Sequence, residues 1–235
     1  MTSQRIWLIT GVSSGFGREL TTQLLERGDR VVGTVRDMNK VSDLTARHPE
    51  AFHLEVLDVT DTAAIHDVVD RTFEQLGRID VVVSNAGYGL SGAAEELTDA
   101  QVEHIIATNL TGSIQLIRSA LRHLRRQGGG RIIQISSYGG QVAFPGNAMY
   151  HATKWGIEGP LGTRYPDRLH RAATSGKPSC ASDPWLRAAV PWACTEMSPS
   201  RPLHRAPRGG AVAVARSSEA VRLGRRGGAG CAHPG

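Results

Sequence analysis

Along the first two thirds of the chain, short apolar runs alternate with segments whose apolar residues recur every three or four positions. The runs at 5–10, 30–35, 51–57, 80–84 and 130–136 are rich in Val, Ile and Leu and have strand length. The segments at 15–27, 39–47, 61–76, 98–126 and 147–159 carry helical spacing. Strands that alternate with helices predict an α/β fold, a doubly wound parallel sheet covered by helices on both faces. Only the glycine run 128–130 and the stretch 86–97 read as loose loops. With 235 residues and 40% hydrophobic content, the chain has room for one real core and a single globular domain. No apolar stretch approaches the ~20 residues of a membrane span, and the run Ile6 to Ile9 is too short for a signal-peptide core. A cytoplasmic location and no membrane partner are expected.

The first predicted strand runs straight into Gly11-Val12-Ser13-Ser14-Gly15-Phe16-Gly17, and a helix opens there. Glycines permit a tight turn and close approach of a pyrophosphate, whose charge the free amides and dipole of the helix N-terminus favour. The spacing Gly-x3-Gly-x-Gly differs from the commoner Gly-x-Gly-x2-Gly, and a glycine-rich turn alone is weak evidence.

Farther along, Tyr150 and Lys154 stand four apart in a predicted helix, with Ser137 thirteen residues upstream. That spacing places phenol and ammonium on one face. A free tyrosine titrates near pH ~10, too high for an acid or base at neutral pH. A cation at ~4 Å in an effective dielectric of ~20 favours the phenolate by ~4 kcal/mol. Taken alone, such a pair is more often an ordinary helical neighbour pair with an exposed lysine.

Thr10-Gly-x3-Gly15-x-Gly17, Asp58-Val59, Asn85-Ala86-Gly87, Asn109, Ser137 and Tyr150-x3-Lys154 fall in order over residues 5–159. With that set the chain resembles the short-chain dehydrogenase/reductase family. The resemblance implies a Rossmann-type fold, a nicotinamide cofactor, and oxidation or reduction of a small-molecule alcohol or carbonyl. It assigns Tyr150 as the acid or base and Lys154 as the group that lowers its pKa and holds the nicotinamide ribose. Ser137 would hydrogen-bond the substrate oxygen, and Asn109 would support a water linking Lys154 to solvent. Cofactor contacts are implied for Gly11, Ser13, Ser14, Gly15, Phe16, Gly17, Asp58, Val59, Asn85, Ala86, Gly87, Tyr150 and Lys154.

The residues speak to these roles separately. Ser137 stands at the carboxyl end of a predicted strand, where ligands of open α/β sheets bind, although a serine there also serves as a plain cap or turn residue. Ser136 reads as structural. Asn85-Ala86-Gly87 follows the strand 80–84 and offers small residues for a close approach, or an ordinary turn. Asp58 follows the strand Phe52 to Leu57, and its contact to adenine is implied by the resemblance only. Asn109 interrupts a helical pattern as a poor helix former, marking a kink or cap.

At the end of the second strand stand Arg36 and Asp37. An acidic residue there accepts from a ribose 2′-hydroxyl and favours NAD, whereas a guanidinium pairs with a 2′-phosphate. Arg36 takes the strand-end position and favours NADP; Asp37 either repels the phosphate or orients Arg36. For substrate, Tyr138, Phe144 and Met149 are the pocket candidates and suggest an apolar carbonyl compound, steroid-like or retinoid-like.

After Gly159 the composition breaks. Residues 160–235 contain no Ile, Phe, Asn or Gln, of which 1–159 hold 12, 4, 4 and 8. They carry nine of the eleven prolines, all three cysteines, and twelve basic against four acidic side chains, so the net charge of +5 and the pI of 9.5 belong to this segment. The enriched residues are those of G/C-rich codons, and an out-of-frame reading from about codon 160 follows. A disordered basic extension and a folded substrate cap are the competing readings. The thin aromatic content argues against a nucleic-acid partner. Cys180, Cys194 and Cys231 lack disulfide or metal spacing, so no metal site is expected. The C-terminal strands, Pro-Gly loop and lid of the resembled family are not recognisable, which leaves the strand 130–136 as an exposed edge and puts a family-like homo-oligomer in doubt. Besides the enzyme, two other classes remain: a catalytically impaired frameshift product and a non-catalytic dinucleotide-binding protein. Extended epimerases and dehydratases share the Tyr-x3-Lys pair but differ in glycine spacing.

Overall fold

The computed structural model describes residues 4–162 and 212–217. Its strands are β1 (Ile6–Thr10), β2 (Arg30–Val35), β3 (Phe52–Val56), β4 (Val81–Ser84), β5 (Arg131–Ser137) and β6 (Val212–Ser217). Between them run α1 (Gly15–Glu26), α2 (Ser42–Arg47), α3 (Thr62–Leu76), α4 (Asp99–Ile106), α5 (Gly112–Arg126) and, after β5, α6 (Ala148–Gly162). All pairings are parallel, in the order β3-β2-β1-β4-β5-β6. This is a doubly wound Rossmann-type sheet whose order reverses between β1 and β4, where such sheets open a crevice at the carboxyl ends of their strands.

Alternating side chains feed two cores. Trp7 and Ile9 pack on one face with Leu20 and Leu24 of α1 and Leu44 of α2. Leu8 and Val82 pack on the other with Ile65 and Val69 of α3, Leu116 and Leu124 of α5, and Ile157 of α6. Burial on both faces is why the strands read as apolar runs rather than as an alternation. Beneath β1, Asp29 accepts from the Trp7 indole Nε1 and the Arg5 amide, each at 3.0 Å, which satisfies a polar group that is 4% exposed.

Three expectations are corrected. The long region 98–126 is not one helix: α4 and α5 are separated by a π-helical turn, Ala107–Thr111, with Asn109 at its centre. The segment 39–47 opens as a 3₁₀ turn, Met38–Val41, which the Asp37 carboxylate caps by accepting from Asn39 N at 3.0 Å. The strand 130–136 is not left as an edge, because Val212–Ser217 pairs with Ile132–Ser137. The overlooked signal is Val212-Ala213-Val214-Ala215, a short β-branched alternation inside an otherwise Arg- and Pro-rich stretch. Unpaired edge amides and carbonyls favour such an addition. The remainder of 163–211 and 218–235, with its three cysteines, lies outside the described residues.

Candidate active site

A cavity of about 730 Å³ opens at the carboxyl ends of β1, β2, β4 and β5. Its floor is the turn after β1. Gly11 has φ +73°, and a Cβ there would lie 3.0 Å from Ala86 Cα. Gly17 is tighter still, since a Cβ would come within 2.3 Å of the Gly11 carbonyl oxygen and 2.4 Å of Asn85 Nδ2. Hydrogen bonds explain the closeness. Asn85 Nδ2 donates to the Thr10 and Gly11 carbonyls at 2.8 and 3.0 Å, and Thr10 Oγ1 accepts from the Asn85 and Ala86 amides at 3.0 Å each. The two loops at the sheet's reversal are therefore stitched into one surface. Ser14, the N-cap of α1, is extended and makes no side-chain capping bond, which leaves the helix N-terminus open for an anion.

Of the residues picked from sequence, Gly11, Ser13, Ser14, Gly15, Phe16, Arg36, Asp58, Val59, Asn85, Ala86, Gly87, Tyr150 and Lys154 line this one cavity. Gly17, Asn109 and Ser137 are not among its lining residues. Asn109 is 1% exposed and holds both backbone atoms of Tyr88: Oδ1 accepts from Tyr88 N at 3.0 Å and Nδ2 donates to Tyr88 O at 2.8 Å. A second reach of Nδ2, 3.3 Å to Thr153 Oγ1, ties the π turn to α6. Ser137 Oγ accepts from Gly139 N at 3.1 Å, and the neighbouring Ser136 is the serine on the wall, bonded through Oγ to Glu158 Oε1 at 2.8 Å.

Tyr88, His104 and Thr108 were missed and also line the cavity. The Tyr88 hydroxyl meets His104 Nδ1 at 2.8 Å, a pairing sixteen residues apart that no local pattern announces. Thr10, a threonine ending a strand ahead of the first glycine, belongs to the site through the bonds of its hydroxyl to Asn85 and Ala86.

Electrostatics separate the two ends. At one end, the Thr60 amide and hydroxyl on Asp58 Oδ1, at 2.9 and 2.8 Å, together with the Arg36 charge, hold the Asp58 carboxyl below its ordinary value. At the other, Lys154 Nζ donates to the Ile135 carbonyl at 3.0 Å and sits 5.8 Å from the centre of the Tyr150 ring. Burial of Lys154, 6% exposed, pulls its pKa down to about 8. The lysine is thus an interior cation near an aromatic ring, not an exposed helical neighbour.

The lining suits an extended dinucleotide: glycines that admit close approach, an uncapped helix N-terminus for a pyrophosphate, and Thr108 Oγ1 buried with no hydrogen-bond partner. Fold and cavity together define a Rossmann-type nucleotide-binding protein. The chain belongs to the short-chain dehydrogenase family, whose model matches residues 5–162. Among characterised relatives, it is 35% identical over 156 residues to an oxidoreductase, BOA17, of Botryotinia fuckeliana, covering 66% of this chain and 57% of that protein. A crystal structure of a short-chain dehydrogenase from Streptomyces avermitilis superposes with a TM-score of 0.66 at 38% identity, covering 69% of this chain and 60% of the other. ElxO with NADP bound superposes at 0.64 and 30% identity, covering 68% and 66%. The chain spans a little over half the length of the first relatives it matches, 54–57%. Among the described residues, no helix is long and apolar enough to cross a membrane.

Proposed function

We propose that the protein is an NADP(H)-dependent oxidoreductase acting on a ketone or secondary alcohol, with Tyr150 as general acid or base. The observation that carries this reading is the convergence of Tyr150, Lys154 and the glycine turn on one cavity. A bound nicotinamide would supply or accept the hydride, its phosphates and ribose held by the Gly11–Gly17 turn, Asn85-Ala86-Gly87 and Lys154. The chain's own work is on the proton. In reduction, Tyr150 gives its phenolic proton to the carbonyl oxygen as that oxygen gains charge. The nearby Lys154 cation favours the phenolate left behind. Ser137 is the serine assigned to the substrate oxygen: its Oγ accepts the Gly139 amide, which leaves the hydroxyl's own proton available to donate. Asn109 keeps the Tyr88 loop and α6 in fixed relation. Tyr138 and Phe144, packed at 5.5 Å and both about half exposed, support an apolar substrate.

The cofactor preference rests on Arg36. It lines the cavity, while the competing carboxylate of Asp37 is turned to cap the next 3₁₀ turn. NADPH is expected to bind at least tenfold tighter than NADH, and Arg36→Ala to erase most of that gap, since a guanidinium–phosphate pair is worth ~1.5–3 kcal/mol. Intrinsic fluorescence titrations with both cofactors check it; equal or tighter NADH binding would sink the preference.

A second reading concerns residues 160–235, for which the break in composition and charge favours an out-of-frame origin and hence an impaired product. Translating the gene in its other two frames beyond codon 159 is expected to give a continued α6, then a strand running into a Pro-Gly turn. If neither frame contains them, the basic segment is a genuine extension, and β6 is its contribution to the sheet.

A further inference from the structure

Between the 3₁₀ turn Tyr138–Gly140 and α6 lie six consecutive exposed residues, 141–146. Their one backbone bond to the body of α6 is made at Phe144, whose N–H donates to His151 Nδ1 at 3.2 Å. The Phe144 ring sits 5.8 Å from that imidazole and 5.5 Å from Tyr138. His151 itself is 7% exposed and directly follows Tyr150, with ring centroids 6.1 Å apart. The imidazole also packs on the turn behind it. A Cβ on Gly139 would lie 2.6 Å from His151 Cδ2 and 3.2 Å from Tyr150 Cε1, and the same Gly139 donates its amide to Ser137 Oγ. One ring therefore meets the Ser137 turn, the Phe144 backbone and the neighbourhood of Tyr150.

We propose that His151 is a positioning residue that latches segment 141–146 beside Tyr150 as a wall of the substrate site, with an apolar ketone as the substrate class it serves. The proposal rests on the oxidoreductase reading above. The acceptor at Nδ1 is what separates a latch from a ring that merely fills space. An acceptor there requires the imidazole to carry its proton on Nε2, the tautomer that the Phe144 amide selects. Phenylalanine preserves the ring and deletes the acceptor, whereas asparagine presents Oδ1 near the place of Nδ1 and deletes the ring.

The test compares wild type, His151→Phe and His151→Asn in the full chain, by hydrogen exchange of the Phe144 amide and by steady-state kinetics with NADPH and trans-1-decalone. Loss of one neutral hydrogen bond corresponds to roughly a fivefold effect. In His151→Phe, Phe144 protection is expected to fall and the KM for decalone to rise by about that factor, with kcat within about twofold. His151→Asn is expected to restore both to near wild type. Undiminished Phe144 protection and KM in His151→Phe would overturn the latch, and so would His151→Asn being as impaired as His151→Phe. Absence of decalone turnover in wild type counts against the oxidoreductase reading, and the exchange measurement then judges the latch by itself.

Discussion

Replacing Tyr150 with phenylalanine is expected to reduce ketone turnover by at least ~10³-fold while leaving NADPH affinity within about twofold. The substitution removes one oxygen from a ring that stays in place, so packing and the cofactor surface persist. What disappears is the transferable proton, and positioned acid–base catalysis is worth ~10²–10⁴-fold. The loss falls on kcat and kcat/KM together, the signature of an interaction made at the transition state. Single-turnover measurements with a saturating ketone, alongside a fluorescence titration of NADPH, read both sides. Retention of more than a few per cent of kcat would mean that another group supplies the proton. Ser136, on the cavity wall, would then be the first to examine.

Lys154→Met should separate activity from stability and move them in opposite directions. A lysine whose pKa falls from 10.5 unfolded to about 8 folded costs the native state ~3 kcal/mol wherever both forms are protonated. Methionine matches its length without the charge. The Nζ bond to Ile135 O is lost, but that carbonyl still accepts from Gln134 Nε2 at 3.0 Å, which limits the penalty to about 1 kcal/mol. A net gain of ~2 kcal/mol at pH 7 corresponds to roughly 4–8 °C in Tm for a domain of this size. The sign fixes the pH window. Between about pH 8 and 10.5 the unfolded chain binds the proton that the folded chain has released, so wild-type stability climbs with pH and the variant's advantage shrinks to nothing. Turnover should fall by ~10²-fold or more at every pH. Thermal unfolding at pH 7 and pH 10 checks the stability half; a variant less stable than wild type at pH 7 would show that the buried ammonium is compensated by contacts other than Ile135.

The sheet and most of the cavity were legible because their determinants are local. Buried parallel strands declare themselves as apolar runs, and a glycine that must sit at φ +73° beside Ala86 leaves a glycine in the sequence. The family motifs then ordered those pieces along 5–159. What stayed hidden depends on contacts between distant residues. The Lys154 partner is a main-chain carbonyl nineteen residues away, invisible in any motif. Ser136 also lines the cavity beside Ser137's turn, because at a strand end successive side chains face opposite ways and the sequence does not say which way the strand is turned. Asn109 read as a kink, and a π turn is a kink of a kind. Its grip on Tyr88 was not foreseeable from spacing. Element ends shifted by one to three residues, as at α6, which runs three residues past Gly159.

The π turn at Ala107–Thr111 also governs angular phase. One residue more than an α-helical turn holds offsets everything downstream by ~100° about the helix axis. Upstream, Ile105 is buried; downstream, Leu116, Ile117, Ala120 and Leu124 are buried as well. The wide turn takes up its extra residue with both sets facing inward. Deleting one residue there would close the wide turn to an α-helical one with the buried stripe of α5 still on the sheet, whereas inserting one would swing that stripe by ~100°. Insertions should therefore be far scarcer across 107–111 than in the loop 86–97, and a deletion would cost the grip of Asn109 on Tyr88 or the place of Thr108 on the cavity wall.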